Sequence, residues 1–204
     1  MTCRPFLQMS PVVPVLTIVE VKDAVPLARA LVAGGLKVLE ITLRTPVALE
    51  AMKRIAGEVP GAVIAAGTVT RAEDLDRAAK AGAQFAFSPG LADFMVKPQA
   101  IPILPGVATA SDIMKGMIEG MDTFKFFPAV PAGGVGALKA FAGPFASVAF
   151  CPTGGIGATQ EPPTQSTLGS LMNSRALSAP MDAIAAGDWG RIEALAKDAA
   201  ALTA

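Results

Sequence analysis

Short runs rich in valine, isoleucine and phenylalanine recur along the chain, and between them lie longer stretches whose apolar residues return every three or four positions. Residues 12–18, 37–43, 62–66, 84–88, 101–104, 123–127 and 147–151 read as strands; residues 24–33, 46–59, 71–81, 111–120, 134–142 and 180–201 read as amphipathic helices. Strand and helix alternate, which predicts parallel β/α units, and eight such units at this length predict an α/β fold of one (β/α)8 TIM barrel spanning 1–204 as a single domain. Glycine or proline closes most strands, as at Gly67, Pro89-Gly90, Pro105-Gly106, Pro128 and Gly154-Gly155. There the chain must turn toward a helix, and barrels carry their active-site loops at that end. Two stretches break the pattern. Residues 91–100 are short for a helix and predict an irregular helix 4, and residues 157–179 hold no clean eighth strand, so that region is expected to be irregular or divergent.

Composition narrows the partners. The 204 residues are 52% apolar, enough for a sizeable core, and 17 basic residues balance 17 acidic ones. No basic cluster interleaved with aromatics is present, so nothing on the surface invites nucleic acid or anionic lipid, and a small molecule is the expected partner. The start lacks an apolar export segment and no run approaches the ~18 residues of a membrane span, which predicts a soluble, cytoplasmic protein. Two cysteines make no disulfide framework, and Cys3 stands near a terminus expected to be mobile. Histidine is absent, which removes imidazole bases, histidine metal ligands and histidine-containing triads.

Chemistry concentrates on two strands. In the run 37–43 Glu40, Thr42 and Arg44 fall on one face and Leu39, Ile41 and Leu43 on the other. The outer face of a barrel meets apolar helices, and an unpaired carboxylate there would cost several kcal/mol, so the polar row is expected to point inward. A Glu40–Arg44 pair that merely closes the barrel would show the same pattern. In the run 123–127 Phe124 and Phe126 flank Lys125, leaving it to point inward from an apolar strand. Desolvation there favours the neutral amine, the form that attacks a ketone; a lysine reaching solvent or pairing with Glu40 is the structural alternative. After the run 147–151, Thr153, Gly154 and Gly155 offer open backbone N–H groups, suited to a phosphate or to a plain tight turn.

Six ordered motifs carry a resemblance: Pro11-Val-Val-Pro-Val15, Val38-Leu-Glu-Ile-Thr-Leu-Arg-Thr45, Ala66-Gly-Thr-Val69, Phe87-Ser-Pro-Gly-Leu91, Phe124-Lys-Phe-Phe-Pro-Ala129 and Phe150-Cys-Pro-Thr-Gly-Gly155. In these the chain resembles the 2-dehydro-3-deoxy-phosphogluconate (KDPG) aldolases, some of which also act on 4-hydroxy-2-oxoglutarate (KHG). The resemblance implies a Schiff-base (class I) aldolase of carbohydrate metabolism that splits KDPG to pyruvate and glyceraldehyde 3-phosphate. Lys125 would form the imine and Glu40 would move protons. Arg44 would bind the ketoacid carboxylate, with Thr68 and Pro89 lining that pocket. Thr153, Gly154 and Gly155 would meet the aldehyde half. It further implies a homotrimer that needs no metal and no cofactor. A non-covalent phosphate-binding isomerase or synthase, or a barrel without catalysis, are the competing readings; the first leaves Lys125 unexplained, and intact Glu40, Arg44 and Lys125 argue against the second.

Two departures from the family pattern stand out. The chain from Leu91 to Ile101 is about one helical turn short. The family's Gly-Gly-Ser/Thr-Trp turn after strand eight is replaced by Ser174-Arg-Ala-Leu177, which puts a cation where phosphate-binding glycines are expected. Residues 157–179 keep the family's length and lose its character. Either a divergent loop weakens phosphate recognition, with Arg175 as a substitute ligand, or the letters are wrong here, through a compensated reading-frame shift or because they were inferred rather than sequenced; the second is preferred, because the run 161–167 favours neither helix nor strand.

Overall fold

A computed structural model of the protein describes residues 2–155, 175–178 and 180–201. In chain order it shows α1 (Arg4–Leu7), β1 (Val12–Leu16), α2 (Val21–Ala33), β2 (Val38–Thr42), α3 (Ala48–Glu58), β3 (Val63–Gly67), α4 (Ala72–Lys80) and β4 (Phe85–Phe87). A 3-10 turn (Asp93–Val96), β5 (Ile103–Leu104), β6 (Gly106–Val107), α5 (Ala110–Ile118), β7 (Thr123–Phe126), α6 (Gly134–Ala142) and β8 (Ala149–Pro152) follow. Then come β9 (Arg175–Ser178), α7 (Met181–Ala186) and α8 (Trp189–Ala200). All recorded strand pairs are parallel. They run β5-β4-β3-β2-β1-β9 in one ladder and β6-β7-β8 in another, with β9 lying beside β8. The fold is the expected (β/α)8 barrel.

The two ladders meet at Pro105. Proline has no N–H to donate, so β5 and β6, its two flanks, behave as halves of one strand that pair in opposite directions. Ile103 and Leu104 pair with β4, whereas Gly106 and Val107 pair with β7, and the Pro105 carbonyl accepts from the Lys125 N–H at 2.9 Å.

Side-chain alternation divides the core. Leu39, Ile41, Ile64, Ala66 and Ala86 point outward and pack under α2, α3, α4 and α8. Phe124, Phe126 and Phe150 point outward on the other side, against Ile113 of α5 and Leu138 of α6. The inward row of Val13, Val38, Val63, Ala65, Phe85, Phe87, Leu104 and Cys151 fills the barrel. The chain's start closes its base. Cys3 and Leu7 join that inward cluster, and the Phe6 ring stacks on Phe85 with centroids 4.6 Å apart. This overturns the expectation of a mobile terminus around Cys3: the apolar residues beside it have the open barrel base to bury against. Burial pushes the Cys3 thiol up to about 12, so it stays protonated and acts as apolar filler.

Three further details differ from, or sharpen, the sequence reading. The crossover from β4 to β5 is the expected irregular one, a 3-10 turn where the other described crossovers carry full helices. A cavity of about 440 Å³ is left at the base, floored by Met95, Ile101, Leu104 and Met121. The single helix expected over 180–201 is two, because Gly187 takes φ +65° and the Asp188 side chain accepts from the Arg191 N–H at 3.0 Å, starting a second helix. The family pattern puts a turn after the eighth strand at residues 174–177. Instead Arg175–Ser178 are themselves a strand, in register with Val12–Val15 of β1. The edge of β1 needs backbone partners, and any side chains can supply them. The other expectations for 157–179, and the Arg175 side chain, lie outside the described residues.

α5 approaches β7 most closely at Gly116, where an added methyl would land on the Phe124 ring. Gly116→Ala gains up to about 1 kcal/mol in helix propensity, but overpacking of this kind costs about 1–3 kcal/mol. The expected outcome is a lower denaturant midpoint; a raised one would mean that Phe124 moves aside freely.

Candidate active site

Register places the chemistry. Glu40 sits mid-strand on β2 beside Val15 and Ala65, and Lys125 sits on β7 beside Gly106 and Cys151. Both point inward, and Lys125 Nζ lies 3.1 Å from Glu40 Oε1 across the barrel. Their side chains are 6% and 1% exposed, so this is a desolvated pair. Of the two structural alternatives, lysine pairing with Glu40 is realised and the Glu40–Arg44 bridge is not. Phe87 and Phe127 wall the ammonium, their ring centroids 5.2 Å and 5.4 Å from Nζ. Phe127 is followed by a cis peptide bond to Pro128. Neither ring was singled out from sequence, although Phe87 shares the inward face with Phe85 by simple alternation.

Small residues make room for the carboxylate. A methyl at Gly67 would strike Glu40 Oε1, Cγ and Cδ. Glu40 Oε2 is buried and has no hydrogen-bond partner among the described residues, a condition that costs free energy wherever it persists. One oxygen is thus committed to Lys125 and the other is not. An ammonium and a carboxylate in contact can exchange a proton, leaving a neutral amine beside a carboxylic acid; that is the combination needed to attack a ketone and protonate what results.

Arg44 stands two residues past β2, on the exposed turn into α3, and its Nε donates to Thr68 Oγ1 at 3.0 Å. Thr68 holds φ +62°, a left-handed conformation that costs a β-branched residue about 1–3 kcal/mol and is retained only where the surroundings enforce it. The flanking Leu43 and Val69 N–H groups donate to Gly67 and Phe87 carbonyls at 2.9 Å and 3.1 Å, which fixes both sides of that contact. Pro89 lies on the next strand end, its carbonyl packed where a Gly106 methyl would be. Thr153 is buried, and Gly154 and Gly155 take φ +100° and +81°, so the loop after β8 requires glycine at both places. Thr153 and Gly154 carbonyls accept from Ala129 and Val130 at 2.8 Å and 3.0 Å, tying this loop to the one after β7. The site residues named from sequence thus fall into three groups at one end of the barrel: Lys125 with Glu40, Arg44 with Thr68, and Thr153 with the two glycines; Pro89 stands apart, against Gly106.

Among the described residues no cluster of histidine, cysteine, aspartate or glutamate could hold a metal ion, and no helix is long and apolar enough to cross a membrane. Over residues 4–195 the chain matches the family described as KDPG and KHG aldolase. The chain belongs to that family. A KDPG aldolase of Pseudoalteromonas atlantica is 51% identical over 198 residues, covering 94% of this chain and 90% of that one. The KHG/KDPG aldolase of Escherichia coli K12 is 47% identical, covering 97% and 94%. Among solved structures, this aldolase superimposes on a KDPG aldolase of Legionella pneumophila with a TM-score of 0.91 at 39% identity, covering 98% and 99% of the two chains. That structure is described as holding pyruvate captured at low pH as a covalent carbinolamine intermediate.

Gly67→Ala tests the spacing at the centre of the site. A methyl there should push the Glu40 carboxylate off Lys125, and displacement of a catalytic group by about 1 Å can cost on the order of 10²-fold. A fall in kcat of at least roughly tenfold is expected with an unchanged far-UV circular dichroism spectrum; near-normal kcat would show that Glu40 has room to spare.

Proposed function

We propose that this aldolase cleaves KDPG to pyruvate and glyceraldehyde 3-phosphate through a Schiff base on Lys125, within one barrel domain spanning 1–204. The observation that carries the reading is the buried contact of 3.1 Å between Lys125 Nζ and Glu40 Oε1. Glu40 takes a proton from the lysine, and the neutral amine adds to the C2 ketone to give a carbinolamine. Glu40 returns the proton to the departing hydroxyl, water leaves, and a protonated imine remains. The imine draws electrons from the C3–C4 bond as Glu40, directly or through a water, removes the C4 hydroxyl proton. The aldehyde departs, the enamine is protonated at C3, and hydrolysis frees pyruvate and Lys125.

Arg44, steadied by Thr68, supplies paired charge-assisted bonds to the ketoacid carboxylate, with Pro89 on the same rim. Thr153 and the N–H groups of Gly154 and Gly155 face the aldehyde half and its phosphate. The name of the Escherichia coli relative supports a second substrate of the same type, KHG, which would yield pyruvate and glyoxylate by the same steps. No metal or other cofactor enters this sequence of steps. Likeness to the family supports a place in the cytoplasm and a homotrimer, and light scattering on the purified protein would check the trimer.

Borohydride added with pyruvate should inactivate the enzyme and leave one reduced adduct, found by peptide mass spectrometry on Lys125. Label on another lysine, or none, would sink the covalent mechanism. Glu40→Gln should still form some adduct but lose roughly 10²-fold or more in kcat, the usual worth of a positioned acid–base group. Turnover near that of the parent enzyme would remove Glu40 from its role.

A further inference from the structure

We infer that Thr42 and Thr45 are positioning residues that hold Arg44 in place for the ketoacid carboxylate; this rests on the reading of Arg44 given above. Arg44 lies where the backbone ladders stop. The β1–β2 register ends at Leu16↔Ile41 and the β2–β3 register at Thr42↔Gly67; the Leu43 N–H still donates to the Gly67 carbonyl at 2.9 Å, but no strand pair holds Arg44 itself. Pro46, two residues after Arg44, has no N–H to contribute. An exposed arginine on such a turn would sample many positions, and each would dilute its contact with an anion.

Side-chain hydroxyls take over from the ladder on both sides of it. Thr42, fully buried, donates its single hydroxyl proton to the Leu16 carbonyl at 3.1 Å, which leaves Thr17 as the donor in the 3.1 Å contact between the Thr17 and Thr42 hydroxyls. Thr45 donates to the Ile18 carbonyl at 2.6 Å. The segment 42–45 is therefore stitched at both ends to the segment 16–18, with Arg44 between the stitches. The guanidinium is steadied separately by Thr68, the first residue past the opposite neighbour, β3. Backbone and side chain are thus restrained from two different strands. A threonine present only to fill space would need neither hydroxyl aimed at a carbonyl of the preceding β/α loop.

The test is a cycle of Thr45→Val, which keeps shape and removes the hydroxyl, with Arg44→Ala, read by steady-state kinetics on the ketoacid. Thr45→Val should raise KM about three- to tenfold, as the loss of one hydrogen bond of ordinary net worth does, with kcat little changed because Lys125 and Glu40 are untouched. Thr45→Ser should bring KM back. In the Arg44→Ala background Thr45→Val should add almost nothing, since its effect travels through the arginine. A KM unmoved by Thr45→Val, or raised equally in both backgrounds, overturns the inference. Arg44→Ala with unchanged KM sinks the carboxylate reading and this inference together; Arg44→Ala with raised KM but Thr45→Val without sinks this inference alone. Thr42→Val takes the same place in the cycle should Thr45→Val not fold.

Discussion

A lysine and a glutamate facing each other across the inside of a barrel must be taken out of water together, and their mutual attraction repays that only when the contact is close and stays close. The Lys125–Glu40 contact of 3.1 Å therefore constrains its surroundings. Gly67 on β3 has no side chain because a methyl there would strike the glutamate, and Ala65 is the glutamate's ladder neighbour. Gly106 and Cys151 flank the lysine in the ladder, and the rings of Phe87 and Phe127 replace its water with apolar faces. Outside, Phe124 and Phe126 anchor the strand that carries the lysine under α5 and α6, so the amine is held from behind by core packing rather than by its own flexible stem.

Around this pair the mouth is built from loops that restrain one another. The loops after β7 and β8 are joined by backbone hydrogen bonds, and the turn after β2 reaches both β1 and β3 through side chains. Strain at Thr68 and positive φ at Gly154 and Gly155 occur at this end, where binding geometry competes with relaxed backbone. The two ends of a substrate molecule would thus meet different materials. Side-chain charge from Arg44 would meet the ketoacid carboxylate, and bare backbone N–H groups would meet the phosphate.

Much of this was legible before any coordinates, for a definite reason. A strand in a barrel has an inside and an outside, so alternation alone sorted Glu40 from Ile41 and Lys125 from Phe124. That logic stops where strands stop. Arg44 was grouped with Glu40 by alternation, yet it stands on a turn and contacts Thr68, because beyond the last ladder pair the direction of a side chain depends on its own neighbours. The break at Gly187-Asp188 carried both a C-terminal glycine and an N-capping aspartate, but apolar periodicity running through it concealed them. The β9 strand could not be seen, since its partner β1 asks only for backbone and the letters Arg-Ala-Leu-Ser do not advertise a strand. The short helix α1 depends wholly on a distant pocket for its stability, which no local pattern can reveal.

That helix has an electrical consequence. Phe6 and Leu7 cover Phe85 and the inward row of the barrel, and the next aromatic up the axis, Phe87, is already in contact with the ammonium. The seal at the base thereby sets the local dielectric above it. Were water admitted from below, the field between Lys125 and Glu40 would be screened several-fold, and the pair proposed to react would weaken without either of them having moved. Four helical residues at the far end of the barrel thus belong to the insulation of the active site.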